Sequence, residues 1–447
     1  MPSHSIKFEK VPPQTTPGRG VVSRRQFLAE ASVRTLGTSL LAASGGSAYA
    51  RVLSDARAKS IKVRQDFPGG GGVMERIDEV RRAIRFRAHN EQGGGWGQVW
   101  WYFQVDGLTP GTLITLELNY GHPPGSGVAP QAYFSTDQKT WQLTAAGQEA
   151  ADGPTQLMVY NQRVLSARMW FAYNLPYLPE HLHELRTLAE KSGTAASVYD
   201  LCRSRNHRPV LALRLAETPR AGTQRYGIWL QARAHAFESG TSWVLHELAR
   251  WLMSSDPEAR QLRACADLTL VPIVDVDGVV EGRTGKNQPP YDHNRGWDES
   301  ASHWPEVRAI QAQLTELTRQ NALDLFIDIH GPGNGAHPYF ICPTPSALPT
   351  DLRRQNQAAF LACLEAQEQT KETRKALSME RFFFSPRQIN YQSSAGWVSA
   401  HTTPSVVALT LETNMSSPLS TPEGYQAEGR ALGRGIARYF TGNRHLR

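Results

Sequence analysis

The chain has 447 residues, with 48 lysines and arginines against 41 aspartates and glutamates and a formal net charge of +7. Residues 1–50 hold six basic and two acidic side chains, so the remainder carries only about +3 and has no basic stripe of the kind phosphate binding needs; nucleic acid is not an expected partner. The four cysteines, Cys202, Cys265, Cys342 and Cys363, form no CxxC pair, which excludes a zinc ribbon and a dithiol redox motif and leaves disulfides and buried thiols both open.

In chain order, Ser23-Arg24-Arg25-Gln26-Phe27-Leu28 opens a segment ending in small residues at Ala48-Tyr49-Ala50, the pattern of a twin-arginine export signal. Arg34 interrupts its apolar run, and the uncharged stretch from Thr35 to Ala50 is too short and too rich in Gly and Ser to span a bilayer. The expectation is an exported protein, periplasmic or secreted, with residues 1–50 removed, 51–60 as a linker and no membrane span in the mature chain.

Residues 61–168 read as an all-β sandwich. Val99–Val105 is strand-like, Leu108–Gly111 forms a turn, and Thr112–Asn119 alternates with Ile114, Leu116 and Leu118 on one face. A run at Gln131–Phe134 and a polar turn before Trp141 continue the pattern, and Gly69–Gly72 and Gly93–Gly95 read as loops. No acid, base and nucleophile gather there.

Residues 169–447 switch to helices alternating with buried strands, the α/β pattern. Tyr226–Gln231, Leu268–Val274, Leu323–Ile329 and Ser405–Leu411 are strand candidates, each followed by a distinctive polar residue. Ser242–Leu252 puts Val244, Leu248, Trp251 and Leu252 on one helix face. The helix after Pro305 does so with Val307, Ile310, Leu314 and Leu317, and Tyr425–Phe440 with Leu432, Ile436 and Phe440.

The chemistry gathers behind those strands. His235-Ala236-Phe237-Glu238 offers an imidazole and a carboxylate from one tight turn. His330 closes another strand, and two histidines with a glutamate and one open position form a catalytic zinc set. Such strand ends converge at one edge of an α/β sheet. HxxE alone also fits a surface helix pair; the buried strands before both ligands favour the metal. Gly285-Lys286 is not a phosphate loop, because Val280 stands where that loop needs glycine. The stretch does place Arg283 and Arg295 on loops, where guanidinium groups suit a grip on a carboxylate or an oxyanion.

His235-x-x-Glu238, Asp277-Gly278-Val279, Asp292-x-Asn294-Arg295, His330 after Asp328-x, and Thr410-Leu411-Glu412 occur in the order found in the zinc carboxypeptidases. The chain resembles in particular the cytosolic-carboxypeptidase-type branch, whose N-terminal β-sandwich is matched by Trp101–Val105, Pro130–Trp141 and Tyr173–Tyr177. The resemblance covers about Ile61 to Phe440 and implies a mixed sheet flanked by helices. It departs from the family at Asp275-Val276-Asp277-Gly278, where Asn-Pro-Asp-Gly is usual, a change in a structural turn and not in a ligand.

Carried onto this sequence, the resemblance makes His235, Glu238 and His330 the ligands of one zinc ion per chain and Glu412 the general base. Asn294 and Arg295 would hold the terminal carboxylate of a peptide or protein substrate, and Asp292 would orient His235. Arg283, with Lys286 as the alternative, would polarise the scissile carbonyl, and Tyr391 matches a mobile tyrosine. The implied activity is metallocarboxypeptidase. Glu281 and Glu299 are the next candidates for the base. An exported amidase or cell-wall peptide hydrolase of the same fold, or an inactive protein that binds peptide or glycan, are the other readings open at this point.

Overall fold

A computed structural model describes residues 60–88, 99–121, 128–217, 225–286, 288–299, 303–331, 338–365, 383–387, 389–417 and 419–447. Residues 1–50, expected to be an export signal, residues 51–59 and Gly93–Gly95 lie outside these residues.

Ten strands form two five-stranded sheets. They are β1 (Lys62–Arg64), β2 (Val73–Asp78), β3 (Ala83–Arg87), β4 (Tyr102–Asp106), β5 (Leu113–Asn119), β6 (Tyr133–Ser135), β7 (Trp141–Leu143), β8 (Gln148–Asp152), β9 (Thr155–Arg163) and β10 (Arg168–Ala172). One sheet runs β1-β4-β10-β6-β7 and the other β2-β3-β5-β9-β8. Alternation drives the packing: Ile114, Leu116 and Leu118 are buried along β5, while Glu117 faces the other way to take Arg85 Nε at 2.9 Å. Phe86 of one sheet meets Trp101 and Phe103 beside the other edge-on, at 5.0 and 4.9 Å, contacts that add about 0.5–1.5 kcal/mol each beyond area burial. Val99–Trp101 is not ladder strand, because β4 begins at Tyr102; those residues enter the core as an extended lead-in. β10 pairs with β4 through Ala172, so the chain leaves the sandwich after 172 and not at 168.

The second part carries one eight-stranded mixed sheet, ordered β11-β12-β14-β13-β15-β18-β16-β17. Its strands are β11 (Ala196–Arg203), β12 (Pro209–Leu215), β13 (Tyr226–Ala232), β14 (Ala266–Val271), β15 (Leu325–His330), β16 (Tyr339–Pro343), β17 (Phe383–Arg387) and β18 (Val407–Glu412). The helices are α1 (Glu180–Lys191), α2 (Ser239–Leu252), α3 (Pro257–Cys265), α4 (Val276–Val280), α5 (Pro305–Arg319), α6 (Asp351–Glu365), α7 (Ser394–His401) and α8 (Pro422–Thr441). β14, β13, β15 and β18 run parallel in the middle of the sheet. Every residue of β13 and β15 is buried, as expected for strands covered on both faces. Asp275, where the sequence departs from the usual turn, caps α4 by accepting Gly278 N at 2.8 Å.

The two parts belong to one compact unit, Ala58–Arg447. All four cysteines are free. No helix among the described residues is long and apolar enough to cross a membrane.

Candidate metal centre

His235 follows β13 and Glu238 immediately precedes α2; Glu238 N donates to His235 O at 3.2 Å, which closes the turn and aims both side chains the same way. His330 ends β15. Because β13 and β15 are parallel neighbours, their C-terminal ends bring the three residues together. His235 Nδ1 lies 2.9 Å from Glu238 Oε1, His330 Nδ1 lies 3.1 Å from Glu238 Oε2, and the two Nδ1 atoms are 3.2 Å apart. All three residues are buried and form the single group of metal-capable donors among the described residues.

The outer ring nitrogens face carboxylates. His330 Nε2 is 2.9 Å from Asp328 Oδ2, and His235 Nε2 is 3.4 Å from Asp292 Oδ1. Each carboxylate draws the ring proton to Nε2 and leaves the Nδ1 lone pair turned inward. Donors bound to a tetrahedral zinc at 2.0–2.2 Å stand roughly 3.3–3.6 Å apart, so this cluster fits zinc with little adjustment. The three residues and their carboxylate neighbours also set one another's charge states. Burial alone would raise the Glu238 carboxyl, but the charges and hydrogen bonds of His235 and His330 hold it well below the usual range. Burial alone would lower the His330 ring, yet Asp328 and Glu238 pull it well up.

Around the triad, the expected residues divide. Glu412 ends β18 in register with His330; its carboxylate makes no hydrogen bond among the described residues, and burial raises its pKa while His330 acts against that. Asp292 accepts Asn294 N at 2.9 Å beside His235; burial would raise its carboxyl, but His235, Arg295 and Lys286 hold it far down. Asn294 Oδ1 accepts Ser394 N at 2.9 Å, and Nδ2 stands 3.1 Å from His330 Nε2. Arg295 is half-buried, with Nη1 on Asn294 O at 2.7 Å. Arg283 is turned elsewhere: its guanidinium pairs with Glu281, its side chain is 44% exposed, and Glu281 also takes Arg208 at 2.9 Å. Tyr391 stands on the surface, 51% exposed. Glu299 is held by Tyr291 Oη at 2.7 Å, so both reserve bases, Glu281 and Glu299, are engaged outside the triad.

Several supporting residues carry no sequence signal. Ser394 Oγ donates to the Asp328 carboxylate behind His330. Arg233, fully buried with a left-handed φ of 66°, donates Nε to Ala236 O at 2.7 Å and Nη1 to Tyr177 O at 3.1 Å, pinning the turn between His235 and Glu238; burial lowers its guanidinium to about 9. Thr284 O accepts Phe237 N at 2.9 Å from the opposite side.

A family model for zinc carboxypeptidases matches residues 181–425, more than half of the chain. Human cytosolic carboxypeptidase 1 is 24% identical over 271 residues, 52% of this chain and 22% of that protein. An uncharacterised protein of Zymomonas mobilis is 29% identical over 237 residues, 52% of this chain and 58% of its own length. The chain thus spans well under two thirds of either relative. Among solved structures, a metallo-carboxypeptidase from Burkholderia cenocepacia superposes with a TM-score of 0.71 at 21% identity, covering 86% of this chain and all of that one. One from Pseudomonas aeruginosa, in complex with (2-guanidinoethylmercapto)succinic acid, gives 0.68 at 22%, covering 85% of this chain and 99% of that one. At these identities the superpositions establish a shared fold, sandwich included. Together with the family match across the triad, they lead to one conclusion: the chain belongs to the zinc carboxypeptidase family.

Proposed function

We propose that the protein removes the C-terminal residue of peptides or protein tails by hydrolysis. The observation that carries this reading is the convergence of His235, Glu238 and His330, whose inward ring nitrogens and carboxylate oxygens meet at 2.9–3.2 Å, beside Glu412, whose carboxylate makes no hydrogen bond among the described residues. Zinc held by those three residues would supply Lewis acidity and bring the pKa of a water close to neutral. Glu412 takes the proton of the attacking water as its oxygen bonds to the carbonyl carbon. It returns that proton to the leaving amine as the C–N bond breaks, so no covalent enzyme intermediate is required. Arg295 and Asn294 hold the free carboxylate of the substrate.

An end-point library of peptides carrying each C-terminal residue, read by mass spectrometry, identifies the preferred substrate. That peptide is then compared as free acid and as amide. A charge-assisted pair lost at a desolvated site costs about 2–5 kcal/mol, or on the order of 30- to several-thousand-fold in kcat/KM. The amide should be refused by that factor, and Arg295→Ala should bring the free acid down to the amide's rate with zinc content unchanged. Equal cleavage of both forms by the parent would remove exopeptidase action.

A further inference from the structure

Hydrolysis of a peptide bond moves the carbonyl π electrons onto oxygen, and an enzyme gains most by having a fixed positive donor waiting there. Among the described cations on the loops around the triad, three already have a partner or a role. Arg233 is bonded to backbone carbonyls, Arg295 touches Asn294 O, and Arg283 is paired with Glu281 on the surface. Lys286 is half-buried and makes no hydrogen bond or ion pair among the described residues.

The path of the chain explains how Lys286 comes to differ from Arg283 three residues earlier. Thr284 O accepts Phe237 N at 2.9 Å, so the loop is stitched to the turn between His235 and Glu238. Thr284 Oγ1 accepts Val99 N at 3.2 Å and Trp100 N at 3.3 Å, which fixes the same residue from the sandwich. Gly285 follows with a φ of 76°, and a Cβ there would sit 2.4 Å from Ala236 N. The backbone thus lies directly against the metal-binding turn and bends there, after Arg283 has turned outward and before Lys286. Consistent with that placement, the Lys286 charge acts to lower the carboxyls of both Glu412 and Asp292, which flank the triad.

We infer that Lys286, and not Arg283, is the cation that meets the oxyanion formed from the scissile carbonyl, an assignment that rests on the peptidase reading above. The water oxygen bonds to the carbonyl carbon, the π pair moves to the carbonyl oxygen beside the Lys286 ammonium, and the water proton passes to Glu412. On collapse the pair returns, the C–N bond breaks, and Glu412 protonates the amine. Lys286 keeps its protons throughout.

The experiment uses the zinc-loaded full chain as Lys286→Met, Lys286→Arg and Arg283→Ala, assayed on the peptide chosen from the library and by calorimetry with inorganic phosphate, a tetrahedral oxyanion. Removing one such donor costs about 10²- to 10³-fold in kcat. Lys286→Met should show that fall with KM within about threefold of the parent and zinc retained, Lys286→Arg should recover part of it, and phosphate should bind Lys286→Met about tenfold more weakly. A Lys286→Met protein with near-parental kcat, or one that loses its zinc, overturns the assignment, as does a comparable fall confined to Arg283→Ala. If the parent cleaves no peptide, the peptidase reading fails by itself, and phosphate affinity then decides alone: a difference between parent and Lys286→Met upholds the cation's place, equal affinities reject it.

Discussion

Glu412 and His330 end neighbouring parallel strands in register, yet the two side chains are assigned different work, one moving a proton and the other holding metal. Substitution separates the roles. Glu412→Gln should retain stoichiometric zinc and lose about 10²- to 10⁴-fold in turnover, whereas His330→Ala should lose the metal, because an open three-ligand site has no spare donor; metal analysis beside the peptide assay reads both. His235 and Glu238 were legible in the sequence because a turn after a buried strand keeps the ligands adjacent, and Asp328 was half-legible two positions before His330. Ser394 was not: 66 residues separate it from Asp328, and only the packing of α7 against β15 unites them. Arg283 was expected inside on the family resemblance; its pairing with Glu281, only two residues away, is a local contact that the resemblance could not register.

At the scale of elements, the strands that feed the site were legible as uninterrupted apolar runs, and the helices by their stripes: Val244, Leu248, Trp251 and Leu252 of α2, and Leu432, Ile436 and Phe440 of α8, are all buried. Strand ends in the sandwich were less so, since Val99–Trp101 has strand composition but its amides go partly to Thr284 and not to a ladder. α8 also carries a buried acid that its stripe does not announce. Glu428 accepts Thr413 Oγ1 at 2.6 Å and Asn414 Nδ2 at 3.0 Å; burial raises its carboxyl to about 7, those bonds pulling only partway back. A folded-state pKa above the unfolded one means its contribution is fully present below about pH 4.5 and is lost as pH rises through 7. The loss is on the order of 3 kcal/mol. Glu428→Gln should therefore unfold in urea with a flatter stability profile between pH 5 and 8 than the parent, and should be the more stable protein at pH 8. Parallel profiles would show that Glu428 does not titrate in this range.

At the scale of the molecule, the sandwich and the α/β part share a boundary made of main chain. Gly69 N donates to Val280 O at 2.8 Å, and Thr284 takes two sandwich amides. Thr284→Val leaves those buried amides without their acceptor, at a cost of about 1–3 kcal/mol each. It should lower the urea midpoint while fluorescence and circular dichroism still report one transition for both parts. A separate early loss of the sandwich signal would mean that the two unfold independently. At the same seam Gly71 and Gly282 face each other so closely that a Cβ on Gly71 would stand 2.4 Å from Gly282 O, and one on Gly282 would stand 2.0 Å from Gly70 O. Lys286 lies four residues beyond that contact. On the function proposed above, the sandwich would act as a spacer gauge for the loop that carries Lys286: a methyl group added at residue 71 has no room without a backbone shift there, so Gly71→Ala should alter turnover while every residue from 169 onward stays as it was.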